Sequence, residues 1–242
     1  MKGIILAGGS GTRLRPMTKV TSKQLLPIYN KPMIFYPLET LMNAGIKDIL
    51  VIVAPDHAGD FLKLLGSGRE LGCRFTYEIQ DKPEGLAQAF RIGKNFIGED
   101  AVTLILGDNL FEDDFTEAIS SFKDGGRIFA KQVPDPERFG VVAFDDQHKA
   151  VSIVEKPAVP ASDYAVTGLY IYDNSVVSKA ANLQPSARGE LEITDLNNLY
   201  LQEGKLDVTF VKGKWLDTGT FESLFEATVF ARDKALAATA VG

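Results

Sequence analysis

The chain has 242 residues, 45% hydrophobic and 24% charged, with 26 Lys and Arg against 32 Asp and Glu and a formal net charge of -6. This is an ordinary globular composition, and its acidic balance argues against nucleic acid or an anionic membrane surface as the main partner, since both favour basic proteins. The length sits near the upper limit for one hydrophobic core, so a single domain over 1–242 is expected.

The charge is unevenly spread. Residues 1–38 hold Lys2, Arg13, Arg15, Lys19, Lys23 and Lys31 and no acid, so a +6 segment precedes 204 residues that carry 20 bases against 32 acids. A basic block in an acidic chain suggests an anion site. A mitochondrial-type presequence is also basic and acid-poor, but such segments are amphipathic and Ser-rich, whereas this chain opens with an apolar strand. Cys73 is the only cysteine, which precludes an intrachain disulfide and suits a reducing compartment. No apolar run approaches the ~18–20 residues that cross a bilayer, and the N-terminus lacks a signal-peptide pattern, so a cytoplasmic location is expected.

In chain order, Gly3–Ala7, Ile49–Ala54, Phe75–Ile79 and Val102–Leu106 are short apolar runs bounded by Gly, Pro or Asp, and read as buried strands. Between the first two, Ile34, Phe35, Leu38, Leu41 and Met42 recur at helical spacing, with Pro37 tolerable in the first turn and Gly45 as the stop. Leu86, Phe90, Gly93 and Ile97 predict another helix. This alternation specifies an α/β protein with a mostly parallel sheet covered on both faces, where ligands bind beyond the carboxyl ends of the strands. From Arg127 the rhythm changes to closely spaced strands at Ile128–Val133, Val141–Phe144, Ala150–Val154 and Tyr164–Tyr172, a partly antiparallel extension. Helices are expected over Leu191–Leu201 and Phe221–Ala238, with a strand at Val208–Val211 between them.

The first strand runs into Gly8-Gly9-Ser10-Gly11-Thr12-Arg13-Leu14, followed by Lys23-Gln24-Leu25-Leu26-Pro27. Three glycines in four positions let the backbone approach a ligand, and successive N–H groups make an anion nest. The dinucleotide fingerprint fails because Leu14 replaces its third glycine and no acid ends the second strand, and a P-loop fails for want of Gly-Lys-Ser/Thr. With Arg13 and Lys23 beside it, phosphate binding is the favoured reading over a plain tight turn. Asp108, after an apolar strand, is a candidate Mg²⁺ ligand or a turn Asp; Asp217 in Trp215-Leu216-Asp217-Thr218-Gly219 is a second candidate, or caps a helix near Thr220. Glu155-Lys156-Pro157 puts an acid and a base at a strand end, where both reach one ligand only if the strand bends. Glu155 suits sugar hydroxyls and Lys156 a phosphate; the alternative is an exposed edge. His57 and His148 have no ligand-like neighbours, Trp215 reads as core or site wall, and Glu112-Asp113-Asp114 reads as a helix start.

These motifs, in this order, together with Lys31-Pro32-Met33, Gln80, Pro83-Glu84-Gly85-Leu86-Ala87-Gln88-Ala89, Phe139-Gly140-Val141-Val142, Tyr164 to Tyr170 and Arg188 to Asp195, resemble the sugar-phosphate nucleotidylyltransferases over nearly the whole chain. The resemblance implies a Rossmann-like, three-layer, mostly parallel mixed sheet with an antiparallel sugar-binding extension. It implies Mg²⁺-dependent, in-line transfer of a deoxythymidylyl group from dTTP to glucose-1-phosphate, giving dTDP-glucose and pyrophosphate, the first step of dTDP-rhamnose and deoxysugar biosynthesis. Gly8, Gly9, Gly11, Thr12, Arg13, Lys23, Gln24, Gln80, Gly85 and Asp108 would bind the nucleotide, with Arg13, Lys23 and Lys156 catalytic. Asn109, Gly140, Glu155, Lys156 and Val166 would bind the sugar phosphate, and Asp108 and Asp217 the metal.

The sugar phosphate is already a nucleophile at neutral pH, so the step needs alignment and charge stabilisation rather than a strong base. Thr21-Ser22-Lys23-Gln24 matches the thymidylyl branch of the family; a UTP-preferring enzyme and a non-catalytic sugar-nucleotide sensor on the same fold are the alternatives. The expected assembly is a homo-oligomer. The sequence stops before a further helical segment of longer members, which leaves their regulatory nucleotide site and tetramer outside the expectation.

Overall fold

Gly3 to Ala7 leave no polar side chain to face water, and β1 (Lys2–Ala7) accordingly has five of its six residues buried, as befits a strand covered on both sides. The structure, a computed structural model, describes residues 1–240. After β1 the basic segment forms only 3-10 turns and a small ribbon, β2 (Pro27–Ile28) and β3 (Lys31–Pro32). There follow α1 (Phe35–Asn43), β4 (Asp48–Val53), α2 (Ala58–Leu65), β5 (Arg74–Ile79), α3 (Gln88–Ile92), α4 (Lys94–Ile97), β6 (Val102–Leu106) and β7 (Asn109–Phe111). The second half adds α5 (Thr116–Ser120), β8 (Gly126–Gln132), β9 (Gly140–Phe144), β10 (Ala150–Glu155) and β11 (Tyr164–Tyr172). It closes with α6 (Ser175–Asn182), α7 (Ile193–Gln202), β12 (Leu206–Phe210), β13 (Trp215–Asp217) and α8 (Phe221–Ala240).

A nine-stranded sheet runs β10-β9-β11-β6-β1-β4-β5, with β8 joined to β11 and β12. The β1, β4, β5 and β6 strands are mutually parallel, whereas β11 is antiparallel to β6, β8 and β9. This is the α/β mixed sheet with an antiparallel extension that the strand rhythm predicts. Successive strand residues point to opposite faces, and the core divides accordingly. Ile4, Leu50, Ile52 and Leu104 pack with Phe90, Val176, Leu196 and Tyr200 on one face. Ile5, Ile49, Val51 and Ile105 pack with Leu38, Leu41, Phe61 and Leu65 on the other. The sheet therefore lies between two helical layers.

Four local expectations change. The strand through Phe75–Ile79, expected to be buried, is the sheet's edge strand β5, with only Phe75 buried and Arg74, Thr76, Glu78 and Ile79 exposed. The helix expected through Leu86, Phe90, Gly93 and Ile97 is two short ones, because the chain turns at Gly93 where it rests against Ile4 and Leu50. Asp217 does not cap α8: Thr220 and Ser223 do so reciprocally, Ser223 N–H donating to Thr220 Oγ1 at 3.2 Å and Thr220 N–H to Ser223 Oγ at 3.0 Å. Of the acid cluster only Asp114 starts a helix, accepting from Thr116 N–H at 2.8 Å. Asp113 and Glu112 instead accept from the backbone N–H groups of Lys212, Gly213 and Lys214, fastening the approach to β13.

Candidate active site

The β6 strand ends at Leu106, and after Gly107 and Asp108 the chain enters β7, which pairs antiparallel with β13 so that Asn109 faces Asp217. Thr218 completes the junction, its N–H and hydroxyl both donating to the Asp108 carbonyl at 3.0 and 2.7 Å. A short ribbon thus sets Asp108 beside Asp217, which are more than a hundred positions apart in the chain. Asn109, 1% exposed, locks the arrangement. Its Oδ1 accepts from Trp215 Nε1 at 2.6 Å and from Gly168 N–H at 3.0 Å, and its Nδ2 donates to Asp108 Oδ1 at 3.1 Å.

Both carboxylates line a cleft of about 520 Å³ together with Arg13, Arg138, Gly140, Glu155, Lys156 and Val166. Burial pushes the Asp108 carboxyl up, but the Lys23 ammonium, by charge and by direct hydrogen bond, and the Asn109 amide hold it below the usual carboxylate range. Asp217 is pushed up to about 6 by burial and by the Asp108 charge, against the opposing pull of Lys23, Arg13 and Arg138. Two neighbouring carboxylates driven apart in this way form a site that a cation would relieve. Among the described residues no group of three or more His, Cys, Asp or Glu gathers to hold a metal by itself.

The glycine loop lies at the carboxyl end of β1, with the backbone N–H groups of Gly9, Ser10 and Gly11 bonded to no acceptor among the described residues. Thr12 and Arg13 begin a 3-10 turn and are exposed. Lys23 reaches under the loop to its ion pair with Asp108, its side chain 11% exposed. Gln24 turns inward: it is 2% exposed, accepts from Ser22 Oγ at 2.7 Å, and packs against Gly107. Gln80, 3% exposed, stands at the end of β5 beside Gly8. Gly85 has φ +103°, and a Cβ there would lie 2.4 Å from the Leu191 carbonyl, so only glycine allows this approach. The loop is pinned by Leu191 N–H to the Glu84 carbonyl at 2.7 Å and by Ala87 N–H to the Leu191 carbonyl at 3.1 Å.

At the other end of the cleft, the strand bend required for Glu155 and Lys156 to face one ligand is present. Lys156 adopts φ 43°, a left-handed backbone that costs a non-glycine residue ~1–3 kcal/mol and tends to persist at functional positions. Both side chains line the cleft. Glu155 Oε2 accepts from Thr194 Oγ1 at 2.6 Å, and its Oε1 lies 3.4 Å from Arg188 Nη2 and 3.8 Å from Lys156 Nζ. Arg188 is gripped by Glu192, Nε to Oε1 at 3.0 Å and Nη2 to Oε2 at 2.8 Å. Burial pushes Glu192 up, but the hydrogen bonds from Arg188 and Ser186 and the Arg188 charge hold it below the usual range.

Of the residues singled out from the sequence, Arg13, Asp108, Asn109, Gly140, Glu155, Lys156, Val166 and Asp217 meet at the cleft. Lys23 meets it through Asp108; Gln80 and Gly85 form a separate cluster near Gly8. Sequence reasoning assigned no role to Arg188, Glu192, Thr194 or Arg138, all of which line the cleft. Arg188 and Glu192 are four apart in an Arg-Gly-Glu-Leu-Glu run, a readable charge pairing, whereas Thr194 lies within the Arg188 to Asp195 motif with no chemical role to read from its own residue type.

A nucleotide-sized cleft over the strand ends, with paired carboxylates facing an N-terminal glycine loop, defines a phosphate-transferring enzyme. The family described as Nucleotidyl transferase matches residues 2–234, and the chain belongs to it. The glucose-1-phosphate thymidylyltransferase of Neisseria meningitidis serogroup A is 58% identical over 238 residues, covering 96% of this chain and 83% of that protein. The glucose-1-phosphate thymidylyltransferase of Mycobacterium tuberculosis is 54% identical, covering 96% and 82%. Among solved structures, a candidate glucose-1-phosphate thymidylyltransferase from Bacillus anthracis in complex with sucrose superposes with TM-score 0.92 at 49% identity, covering 96% of each chain. A UDP-glucose pyrophosphorylase complexed with UDP-glucose gives TM-score 0.84 at 26% identity, covering 96% of this chain and 98% of that one.

Proposed function

We propose that this enzyme transfers a deoxythymidylyl group from dTTP to glucose-1-phosphate, releasing dTDP-glucose and pyrophosphate. The observation that carries this reading is the cleft itself: the carboxylate pair and Arg13 stand at one end, Glu155, Lys156 and Arg188 at the other. Relatives 48–58% identical to this chain are named glucose-1-phosphate thymidylyltransferases, which supports dTTP and glucose-1-phosphate as the substrates. No helix among the described residues is long and apolar enough to cross a membrane. A cytoplasmic setting, one catalytic domain over 1–242 and a homo-oligomeric assembly complete the reading.

In the reaction a phosphate oxygen of the sugar phosphate attacks the α-phosphorus of dTTP. A new P–O bond forms as the α–β anhydride bond breaks, and its electron pair leaves with pyrophosphate. The free amides of the Gly8–Gly11 loop and the side chains of Arg13 and Lys23 neutralise the triphosphate and the charge that grows on the leaving group. Gln80 and the backbone at Gly85 meet the pyrimidine. Glu155, held by Thr194, accepts sugar hydroxyls with the help of the backbone at Gly140 and Val166, while Lys156 and Arg188 hold the sugar phosphate and aim its oxygen. Asn109 orients Asp108 and the cleft wall at Trp215.

Asp108 and Asp217 fit a Mg²⁺ ion, because one or two carboxylates plus substrate phosphates are its usual protein complement and their mutual repulsion calls for a cation. When bound, Mg²⁺ supplies positive charge at the phosphates undergoing transfer. The test is pyrophosphate release with a nucleotide panel. Turnover that requires Mg²⁺, dTTP and glucose-1-phosphate together is expected; UTP turned over as the better donor would overturn the base assignment, and binding without turnover the enzymatic one.

A further inference from the structure

Gln80 sits at the root of the glycine loop with one end of its amide committed. Its backbone N–H is anchored on the Val53 carbonyl at 2.8 Å, and its Nε2 donates to Gln88 Oε1 at 2.6 Å. Gln88 has no freedom of its own. Its Oε1 also accepts from the Glu84 backbone N–H at 3.0 Å, and its Nε2 donates to Glu84 Oε2 at 2.9 Å. A backbone N–H can only donate and a carboxylate at neutral pH can only accept, so the polarity of the whole chain is set at Glu84. It dictates that Gln80 turns its nitrogen to Gln88 and its oxygen away. That oxygen lies directly over Gly8, where a Cβ would be 2.0 Å from it, and it accepts no hydrogen bond among the described residues.

We infer that Gln88 is a positioning residue for base selection: by fixing the orientation of the Gln80 amide, it presents an acceptor to the base and so favours a pyrimidine bearing N3–H over cytosine. The inference rests on the reading that Gln80 meets the base. Thymine and uracil offer an N3–H donor to Gln80 Oε1; cytosine offers a bare N3 acceptor, which meets that oxygen lone pair to lone pair. To accommodate cytosine the Gln80 amide must turn over. That sets its carbonyl against the Gln88 carbonyl, or forces Gln88 to turn as well and set its NH₂ against the Glu84 N–H. The selection is thus made by a residue that need not touch the base.

The experiment is competition between dTTP and dCTP with glucose-1-phosphate, read as the ratio of kcat/KM values within one enzyme sample, which does not depend on the folded fraction. Gln88→Met, which removes the acceptor, is expected to lower the dTTP preference by roughly tenfold or more. Gln88→Glu made together with Glu84→Gln, so that the new carboxylate still accepts from Gln80 Nε2 and an amide replaces the facing Glu84 carboxylate, is expected to keep the wild-type ratio. A purely structural role for Gln88 would change the rates with both nucleotides alike. An unchanged ratio in Gln88→Met, or equal losses in the Met variant and the double variant, overturns the inference where Gln80→Leu abolishes the preference. If Gln80→Leu retains the full preference, the reading of Gln80 as the base contact falls, and the inference with it.

Discussion

The two ends of the cleft are assembled by opposite means. At the end that the proposed reading gives to the nucleotide, charges distant in the chain are brought together by the fold: Lys23 pairs with Asp108 across 85 positions, and Asp217 arrives on the separate strand β13. At the end that the proposed reading gives to the sugar, charges are paired locally, Glu155 beside Lys156 and Arg188 with Glu190 and Glu192, and among the described residues Arg188 and Thr194 tie the two local groups together. The first end joins groups whose repulsion raises Asp217, and so depends on rigid β-pairing to hold them. The second is a set of satisfied ion pairs, held by short-range spacing rather than against repulsion. On the proposed reading, the end that does chemistry is fixed by tertiary structure, and the end that recognises the sugar phosphate is written in short segments.

The largest test of this contrast is Asp108→Asn. Loss of one charged contact at a phosphoryl centre costs about 10²- to 10³-fold in kcat by analogy with single oxyanion donors, and KM for glucose-1-phosphate should stay nearly constant in steady-state pyrophosphate release. A rise in that KM with kcat preserved would place Asp108 at the wrong end. Next, Arg188→Ala removes one of two cations at the sugar end. KM for glucose-1-phosphate is expected to rise about 10- to 100-fold, as for a charge-assisted hydrogen bond, with a smaller change in kcat.

Asp217→Asn probes the strain of the carboxylate pair through stability. A carboxyl raised from 3.8 to about 6 on folding contributes stability that is fully present below pH 3.8 and is lost as pH rises through 6. Metal-free wild type therefore carries a penalty at pH 8 that the Asn variant lacks. The variant should be more stable there by on the order of 1–3 kcal/mol, with the advantage vanishing near pH 4, as read by urea denaturation at each pH. An advantage independent of pH would show that burial and the Asp108 charge are not its source. The smallest effect belongs to Thr194→Val: one hydrogen bond to Glu155 is worth about 1 kcal/mol, so KM for the sugar phosphate should rise about fivefold with the dTTP parameters unchanged.

Much of the layout was legible in the chain. Strands β6 and β11 have the boundaries read from their apolar runs, because a buried strand between Gly or Asp breakers leaves little choice of ends. The parallel half followed from strand and helix alternation. Less legible were positions where packing overrules pattern. The periodic Leu86–Ile97 stretch is split at Gly93, where the backbone rests on the sheet. Gln24, placed at the nucleotide by resemblance, faces Ser22 and Gly107 inside the protein. Thr194, an ordinary helical threonine in sequence, holds Glu155 because α7 packs beside β10.

The amino-acid sequence by itself determined the alternation that makes the sheet, the glycine loop at the end of its first strand, and the separation of a basic N-terminal segment from an acidic remainder. Each is a property of neighbours in the chain: period, breaker and charge. Only the tertiary structure decided that Asp217 would stand beside Asp108, that Lys23 would neutralise one of them, and that the orientation of Gln80 would be set through Gln88 by a backbone N–H. Those are facts of distance between residues far apart or of hydrogen-bond polarity. No local pattern encodes them, because they exist only once β7 has paired with β13 and the loops above the sheet have closed.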